Sequence, residues 1–239
     1  MKMRLFVLLI VLASAIAANA QSTRALQSFE IGMKASETGD HLAALSEFKD
    51  TLRLIEREGA TERFFAKVHY NLGVSNYKLQ RFNEAVAEYS KALWFTNGSY
   101  GRASYALGLA QTELGNWNDA EKAFRHAIIR NNRDGEAWFD LAFVYLALGN
   151  NDKAIAAFQK AVKYRAAETA VSHNNIGVLL AAEGKTREAE TEFEKAFEIS
   201  KGSLAQAATN LENLGAGSPP TRRLEIAKRQ QTGNSPKTL

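Results

Sequence analysis

Residues 137–164 read AWFDLAFVYLALGNNDKAIAAFQKAVKY, and this stretch decides the fold. Apolar residues recur at three- and four-residue spacings on both sides of Gly149 and Asn150, which is the pattern of amphipathic helices. Gly149 can adopt the left-handed conformation that commonly ends a helix. The stretch therefore predicts two antiparallel helices joined by a tight turn.

The same pattern recurs in five copies along the chain. Each copy carries a small residue in its first helix, an alanine twelve residues later and an aromatic residue four residues after that. Small residues let two helices approach closely, and an aromatic ring fills the space beside them. In chain order the three positions hold Gly32, Ala44 and Phe48; Gly73, Ala85 and Tyr89; Gly108, Ala120 and Phe124; Ala142, Ala154 and Phe158; and Gly177, Ala189 and Phe193.

These positions resemble the tetratricopeptide repeat (TPR) family, whose pattern is W-x2-L-G-x2-Y…A-x3-F…P. The fourth copy matches the pattern best, although the closing proline is absent from all five copies. The resemblance implies an all-α fold: a right-handed α-solenoid of about five helix–turn–helix units and a C-terminal capping helix. The matching residues of the fourth copy are Trp138, Leu141, Ala142, Tyr145, Ala154 and Phe158.

The repeat predicts a solenoid over residues 21–213. Residues 59–65 are an insertion after the first unit. They are expected to lengthen the following helix, with Thr61 as its N-cap. The expected units cover residues 25–58, 66–99, 101–134, 135–168 and 170–203, followed by a cap at 204–213.

The N-terminal 20 residues have the pattern of a secretory signal peptide. Lys2 and Arg4 precede a short apolar run, and Ala18-Asn19-Ala20 supplies the cleavage motif. The alternative is an uncleaved anchor, but the 14-residue stretch from Leu5 to Ala18 reaches only about 21 Å as a helix. A bilayer core is about 30 Å thick. We therefore expect cleavage between Ala20 and Gln21 and a soluble protein in the periplasm or outside the cell, with no stable membrane insertion.

The net positive charge of the chain is concentrated at its two ends. The net charge is +4, yet residues 21–213 are slightly acidic, which argues against nucleic acid as a partner. Residues 214–239 are rich in Gly, Ser, Pro and basic residues and are predicted to be a disordered basic tail. Within that tail, TRRLEIAKRQQ could instead form a short basic helix that exposes Leu224, Ile226 and Ala227 to a partner or an anionic lipid.

No set of residues in the sequence points to catalysis. The chain has no cysteine, which removes disulfides, thiol nucleophiles and Cys-ligated metals. Two of its four histidines, His69 and His173, occupy the position where the family packs an aromatic residue. They are expected to be partly buried between helices rather than to bind a metal. The sequence thus predicts a protein that is not an enzyme and has no cofactor or metal site.

The most informative surface is a stripe along the first helices of the units, here called the groove stripe. It lies about 100° around each helix from the packed positions, and in the family this face lines the concave groove that holds peptides or partner helices. One interpretation is an exposed apolar binding surface; the other is that the rings pack on adjacent helices and expose only their edges. The stripe holds Phe29, Met33, Tyr70, Val74, Tyr77, Tyr105, Leu109, Phe139, Phe143 and Asn174.

These features predict a non-enzymatic scaffold or adaptor that binds an apolar peptide or a partner helix in the groove. Lys67, Asn71 and Arg102 lie near the stripe and could contact an acidic group of the partner. The resemblance and the export signal together imply a partner from the assembly or secretion machinery of the cell envelope. The alternative is a homo-oligomeric scaffold whose groove is filled by another copy of the same chain.

Overall fold

The structure, a computed structural model, describes residues 23–215 and 224–227. All regular secondary structure in these residues is helical. The described residues form two compact units, one of residues 23–114 and one of residues 115–215 with 224–227. The first unit contains helices α1 (23–37), α2 (His41–Glu58), α3 (Glu62–Lys78), α4 (Phe82–Trp94) and α5 (Gly101–Glu113).

The second unit contains six helices. Pairs that follow each other in the chain pack together: α7 on α8, α8 on α9, and α9 on α10. The last helix packs on α10 and occupies the place expected of the cap. The helices are α6 (Trp117–Arg130), α7 (Gly135–Ala147), α8 (Asn151–Lys163), α9 (Thr169–Ala182), α10 (Thr186–Ser200) and α11 (Ala205–Gly215).

This architecture confirms the all-α, helix-pair repeat that the spacing predicts. The turn inside each pair contains a residue with a positive φ, such as Gly149 at 71°. Gln80 adopts the same conformation at 59° in the one pair whose turn lacks glycine. Thr61 caps α3 as expected, because its side chain accepts a hydrogen bond from the Phe64 amide at 3.3 Å.

The contact between the small and aromatic positions is as close as the sequence implies. A methyl group on Gly73 would lie 2.5 Å from ring carbon Cε1 of Tyr89, and one on Gly177 would lie 2.7 Å from Cε1 of Phe193. Both rings are fully buried. Glycine is thus required at these two crossings by the ring of the paired helix, because a carbon–carbon contact needs about 3.5–4 Å.

Two helix pairs carry the same polar cluster at their interface. His69 Nδ1 lies 2.6 Å from Glu88 Oε2, and Lys91 donates to the other carboxylate oxygen at 2.8 Å. The pair α9 and α10 repeats the arrangement with His173, Glu192 and Lys195 at 2.6 and 2.7 Å. Both histidines therefore lie between paired helices, as the sequence predicts.

The charged partners alter the titration of both carboxyls. Burial acts to raise the pKa of Glu88, but the hydrogen bonds and positive charges of His69 and Lys91 outweigh it and hold the pKa below its ordinary value. The Glu192 carboxyl has the same opposed causes and the same lowered pKa. A carboxyl whose pKa is lowered by folding stabilises the protein above its unfolded-state pKa, and this stabilisation is lost as the pH falls through the folded-state pKa.

We expect the double substitution Glu88→Gln and Glu192→Gln to weaken the acid dependence of stability. In the unmodified protein the free energy of unfolding should fall as the pH drops below about 4.3, and the double variant should lose less. Urea unfolding at a series of pH values measures this. The matched control is Glu84→Gln with Glu194→Gln, which removes the same charge from exposed positions on the same two helices. An acid dependence that is equal in the double variant and the unmodified protein would contradict the assignment.

The predicted targeting segment, residues 1–20 with its cleavage site, lies outside the described residues. Among the helices of residues 23–215, none is long and apolar enough to cross a bilayer.

Candidate functional site

The structure places the groove stripe on the first helices of the repeats, but it buries much of it. Half of its residues are buried and the other half are partly buried. The buried ones are Tyr70, Val74, Leu109, Phe139 and Asn174, and the partly buried ones are Phe29, Met33, Tyr77, Tyr105 and Phe143.

Other aromatic rings cover Tyr70 and Phe139, the two buried rings of the stripe. Tyr70 packs on Tyr89 and Tyr100, with ring centroids 5.8 and 5.2 Å apart. Burial raises the pKa of the Tyr70 hydroxyl to about 12, so the ring is neutral at physiological pH. Phe139 packs edge-on against Phe143 and Phe158 at 5.1 and 5.9 Å. For these two rings the packing interpretation of the stripe is the one the structure supports.

The three residues predicted to contact an acidic group of a partner differ in exposure. Lys67 and Arg102 are exposed. Asn71 is fully buried, and its amide donates to the main-chain oxygen of Lys67 at 2.9 Å. The two cations therefore remain accessible, whereas Asn71 has an internal hydrogen bond. Contact of any of them with a partner stays a prediction.

A second candidate site, which the sequence did not predict, lies in the second unit on α9 and α11. Three fully buried asparagines form it: Asn174 and Asn175 on α9, and Asn210 on α11. We call these three residues the asparagine site. Residues 224–227, which have no regular secondary structure, lie against it. A buried amide requires hydrogen-bond partners, and here the main chain of this segment supplies them.

Two of the asparagines each pair with one residue of the segment through both atoms of the amide. Asn210 Oδ1 accepts from the Glu225 N–H at 2.9 Å, and Asn210 Nδ2 donates to the Glu225 carbonyl at 3.0 Å. Asn175 Oδ1 accepts from the Ala227 N–H at 2.8 Å, and its Nδ2 donates to the Ala227 carbonyl at 2.9 Å. Residues i and i+2 of an extended chain present these groups on the same side. The site thus binds Glu225 and Ala227 through their main-chain N–H and C=O groups.

Asn174 connects the two pairs. Its Nδ2 donates to the Glu225 carbonyl and to Asn175 Oδ1, both at 3.1 Å, and its Oδ1 accepts from Asn210 Nδ2 at 2.9 Å. All six amide atoms therefore take part in one network. A satisfied buried network of this kind holds its members in one geometry, so the three amides are oriented for the segment. Asn174 is a member of the groove stripe, and it hydrogen-bonds directly to the segment.

The four side chains of the segment differ in burial. Ala227 is 1% exposed, whereas Glu225 and Ile226 are exposed and Leu224 is partly buried. The alternative of a short basic helix that exposes Ala227 is therefore wrong, because the amides hold residues 224–227 as non-helical chain. The remaining residues of the predicted tail, 216–223 and 228–239, lie outside the described residues.

Comparison with known families identifies the repeat. Two tetratricopeptide repeat models match the chain, one over residues 133–202 and one over residues 66–93. The chain contains tetratricopeptide repeats. The asparagine site therefore lies on the last helix pair of a TPR array and on the helix that follows it. No curated protein matches the sequence.

Solved TPR structures share the fold. A MamA protein matches with a TM-score of 0.67 at 23% identity, covering 77% of this chain and 96% of that one. MamA from Desulfovibrio magneticus RS-1 matches with a TM-score of 0.66 at 21% identity, over 76% and 97% of the two chains. YrrB, a TPR protein with an unusual peptide-binding site, matches with a TM-score of 0.65 at 21% identity, over 84% and 97%. TPR folds serve protein–protein interaction, and these identities show the fold alone.

The structure also bears on metal binding. Among residues 23–215 and 224–227, no three His, Asp or Glu side chains are grouped so that they could hold a metal ion.

Proposed function

We propose that this TPR protein is a non-enzymatic interaction module that captures an extended segment of a partner protein at the asparagine site. The observation that carries the proposal is the pairing of Asn175 and Asn210 with two main-chain residues of a non-helical segment. Every hydrogen bond described above between the asparagine amides and that segment involves a main-chain N–H or C=O group of the segment. A segment of another protein with the same backbone conformation would form the same bonds.

The chemistry of the site favours an extended peptide over a partner helix. In a helix, the N–H and C=O groups are used internally, so they are not available to a pair of asparagine amides. An extended segment leaves both groups free, and proteins recognise such segments by adding main-chain hydrogen bonds to them. Of the two kinds of partner that the groove stripe suggests, an apolar peptide and a helix, we therefore propose a peptide in an extended conformation. YrrB, with its own peptide-binding site, gives a parallel on the same fold.

We further propose that the protein acts in the cell envelope. The support for this is the signal-peptide pattern of residues 1–20, which directs a chain out of the cytoplasm. The partner would then be a component of envelope assembly or secretion that carries an accessible, unstructured segment.

Selection from a library of short linear peptides tests capture at the asparagine site. The unmodified chain is expected to enrich peptides, and the double variant Asn175→Ala with Asn210→Ala to lose that enrichment, because four main-chain hydrogen bonds disappear. A bond of this kind contributes about 0.5–1.5 kcal/mol, so the affinity should fall at least about tenfold. The matched control is Asn132→Ala with Asn151→Ala, two exposed asparagines of the same unit.

The control variant should enrich the same peptides as the unmodified chain. Equal enrichment by the unmodified chain and by the double variant at the asparagine site would show that peptides bind elsewhere. The proposed function at this site would then be wrong.

A further inference from the structure

We propose that residues 224–227 are a built-in competitor for the asparagine site, so that a partner segment binds only by displacing the chain's own tail. This inference rests on the proposed function, because it concerns the regulation of the same peptide-binding surface. In the absence of a partner, residues 224–227 of the same molecule occupy the site.

The first step of the argument is mutual exclusion. Both amide atoms of Asn175 are bonded to Ala227, and both amide atoms of Asn210 are bonded to Glu225. The third amide, that of Asn174, is bonded to Glu225 and to its two neighbours. A second extended chain would need the same atoms. The tail and a partner segment therefore cannot occupy the site together.

The second step is that the tail can be displaced. Of its four described residues only Ala227 is buried, and Glu225 and Ile226 are exposed. Five main-chain hydrogen bonds hold the segment at the asparagine site, and each makes a modest net contribution because it replaces a bond to water. A partner segment that makes the same bonds and adds side-chain contacts would bind more tightly.

The third step is that the tail has a large concentration advantage. Only eight residues, 216–223, separate the end of α11 from the start of the segment. A connection this short gives an effective concentration of about 1 mM. A segment whose dissociation constant in solution is about 100 μM would then fill the site about ten times out of eleven. Weak contacts are thus enough to keep the site occupied within one molecule.

One position allows the tail to be released without changing the site. Ala227 is 1% exposed, and its N–H and C=O are both paired with Asn175. A tryptophan at this position has no room beside those bonds, so Ala227→Trp should free the site. Ile226→Trp is the matched control, because Ile226 is 36% exposed and successive side chains of an extended segment point in opposite directions. Both substitutions lie outside all the helices described.

The experiment measures the anisotropy of a fluorescein-labelled peptide with the sequence of residues 222–229, RRLEIAKR, added to the full chain. We expect the peptide to bind Ala227→Trp about tenfold more tightly than it binds the unmodified chain or Ile226→Trp. Adding Asn175→Ala to Ala227→Trp removes two main-chain hydrogen bonds and should weaken this binding at least about fivefold. A labelled peptide that carries tryptophan in place of its own alanine should not bind any of the proteins.

Each other result overturns a different statement. Equal affinity for the unmodified chain and Ala227→Trp would show that the tail does not compete, although the proposed peptide-binding function would stand. Absence of binding to Ala227→Trp would overturn the proposed function of the site, and the inference with it. Light scattering that shows a concentration-dependent dimer of the unmodified chain, lost in Ala227→Trp, would assign the tail to the site of a second copy and would overturn competition within one molecule.

Discussion

Replacing Phe139 with alanine is expected to lower the free energy of unfolding by about 3–5 kcal/mol. The ring is fully buried and packs edge-on against Phe143 and Phe158, which also contact each other at a centroid distance of 5.4 Å. Truncation removes the apolar surface that the ring buries and leaves a cavity among the other two rings, and both effects destabilise the fold. Urea unfolding followed by circular dichroism at 222 nm measures the change.

Trp94→Ala is the control for this prediction. It removes a larger ring, but Trp94 is 74% exposed, so its loss should change the free energy of unfolding by less than about 0.5 kcal/mol. The comparison also separates the two interpretations of the groove stripe. Truncating a ring exposed in the groove would change the free energy of unfolding as little as Trp94→Ala does. Truncating a ring of the core lowers it by the large amount expected here. If both substitutions had equally small effects, the interpretation of Phe139 as an exposed residue of the groove would be the correct one.

The helix pairs could be predicted from the sequence because the signals that specify them are local. The glycine of the turn, the small residue of the first helix and the aromatic residue of the second are separated by a few turns of helix. Gly73 and Tyr89 illustrate this: they are 16 residues apart, and their spacing alone predicts that they meet. Periodicity of this kind is preserved in the structure because each pair packs mainly within itself and on the next pair in the chain.

The exposure of the groove stripe could not be predicted in the same way. Helical periodicity shows which residues share a face, but it does not show what lies opposite that face. The ring of Tyr70 is covered by Tyr100, which comes from the turn before the following helix. Whether a residue next to the packed face is core or surface is decided by such neighbours from other parts of the chain, which have no periodic relation to it.

The asparagine site was missed for a related reason. The hydrogen bonds of Asn174 and Asn175 reach residues 51 and 52 positions away in the chain. The tail sequence, with Arg222, Arg223, Lys228 and Arg229 around an apolar centre, indicates exposure when it is considered alone. One signal was present nonetheless. Asn174 stands at a position where the other four repeats carry the rings of Phe29, Tyr70, Tyr105 and Phe139, and a buried amide needs a hydrogen-bond partner.

Gly73→Ala is expected to lower the free energy of unfolding by about 1–3 kcal/mol, although alanine is the better helix former. At an ordinary position inside a helix, glycine to alanine stabilises by about 1 kcal/mol. Here the new methyl group would lie 2.5 Å from Cε1 and 2.6 Å from Cδ1 of Tyr89, whose ring is fully buried. The ring cannot move aside without disturbing the packing of α3 on α4, so the steric cost exceeds the gain in helix propensity.

A double-mutant cycle with Tyr89→Ala tests the cause as well as the sign. Tyr89→Ala alone should be strongly destabilising, by about 3–5 kcal/mol, because it empties the crossing. In that background the methyl group of Gly73→Ala no longer meets a ring, so it should be neutral or stabilising. The two changes are therefore expected to be non-additive by about 1–3 kcal/mol. Strict additivity would show that the steric conflict lies elsewhere on α3. The fourth repeat carries Ala142 at the equivalent position together with Phe158, so the backbone of the repeat tolerates a methyl group there, and the cost at Gly73 depends on how closely the Tyr89 ring approaches α3.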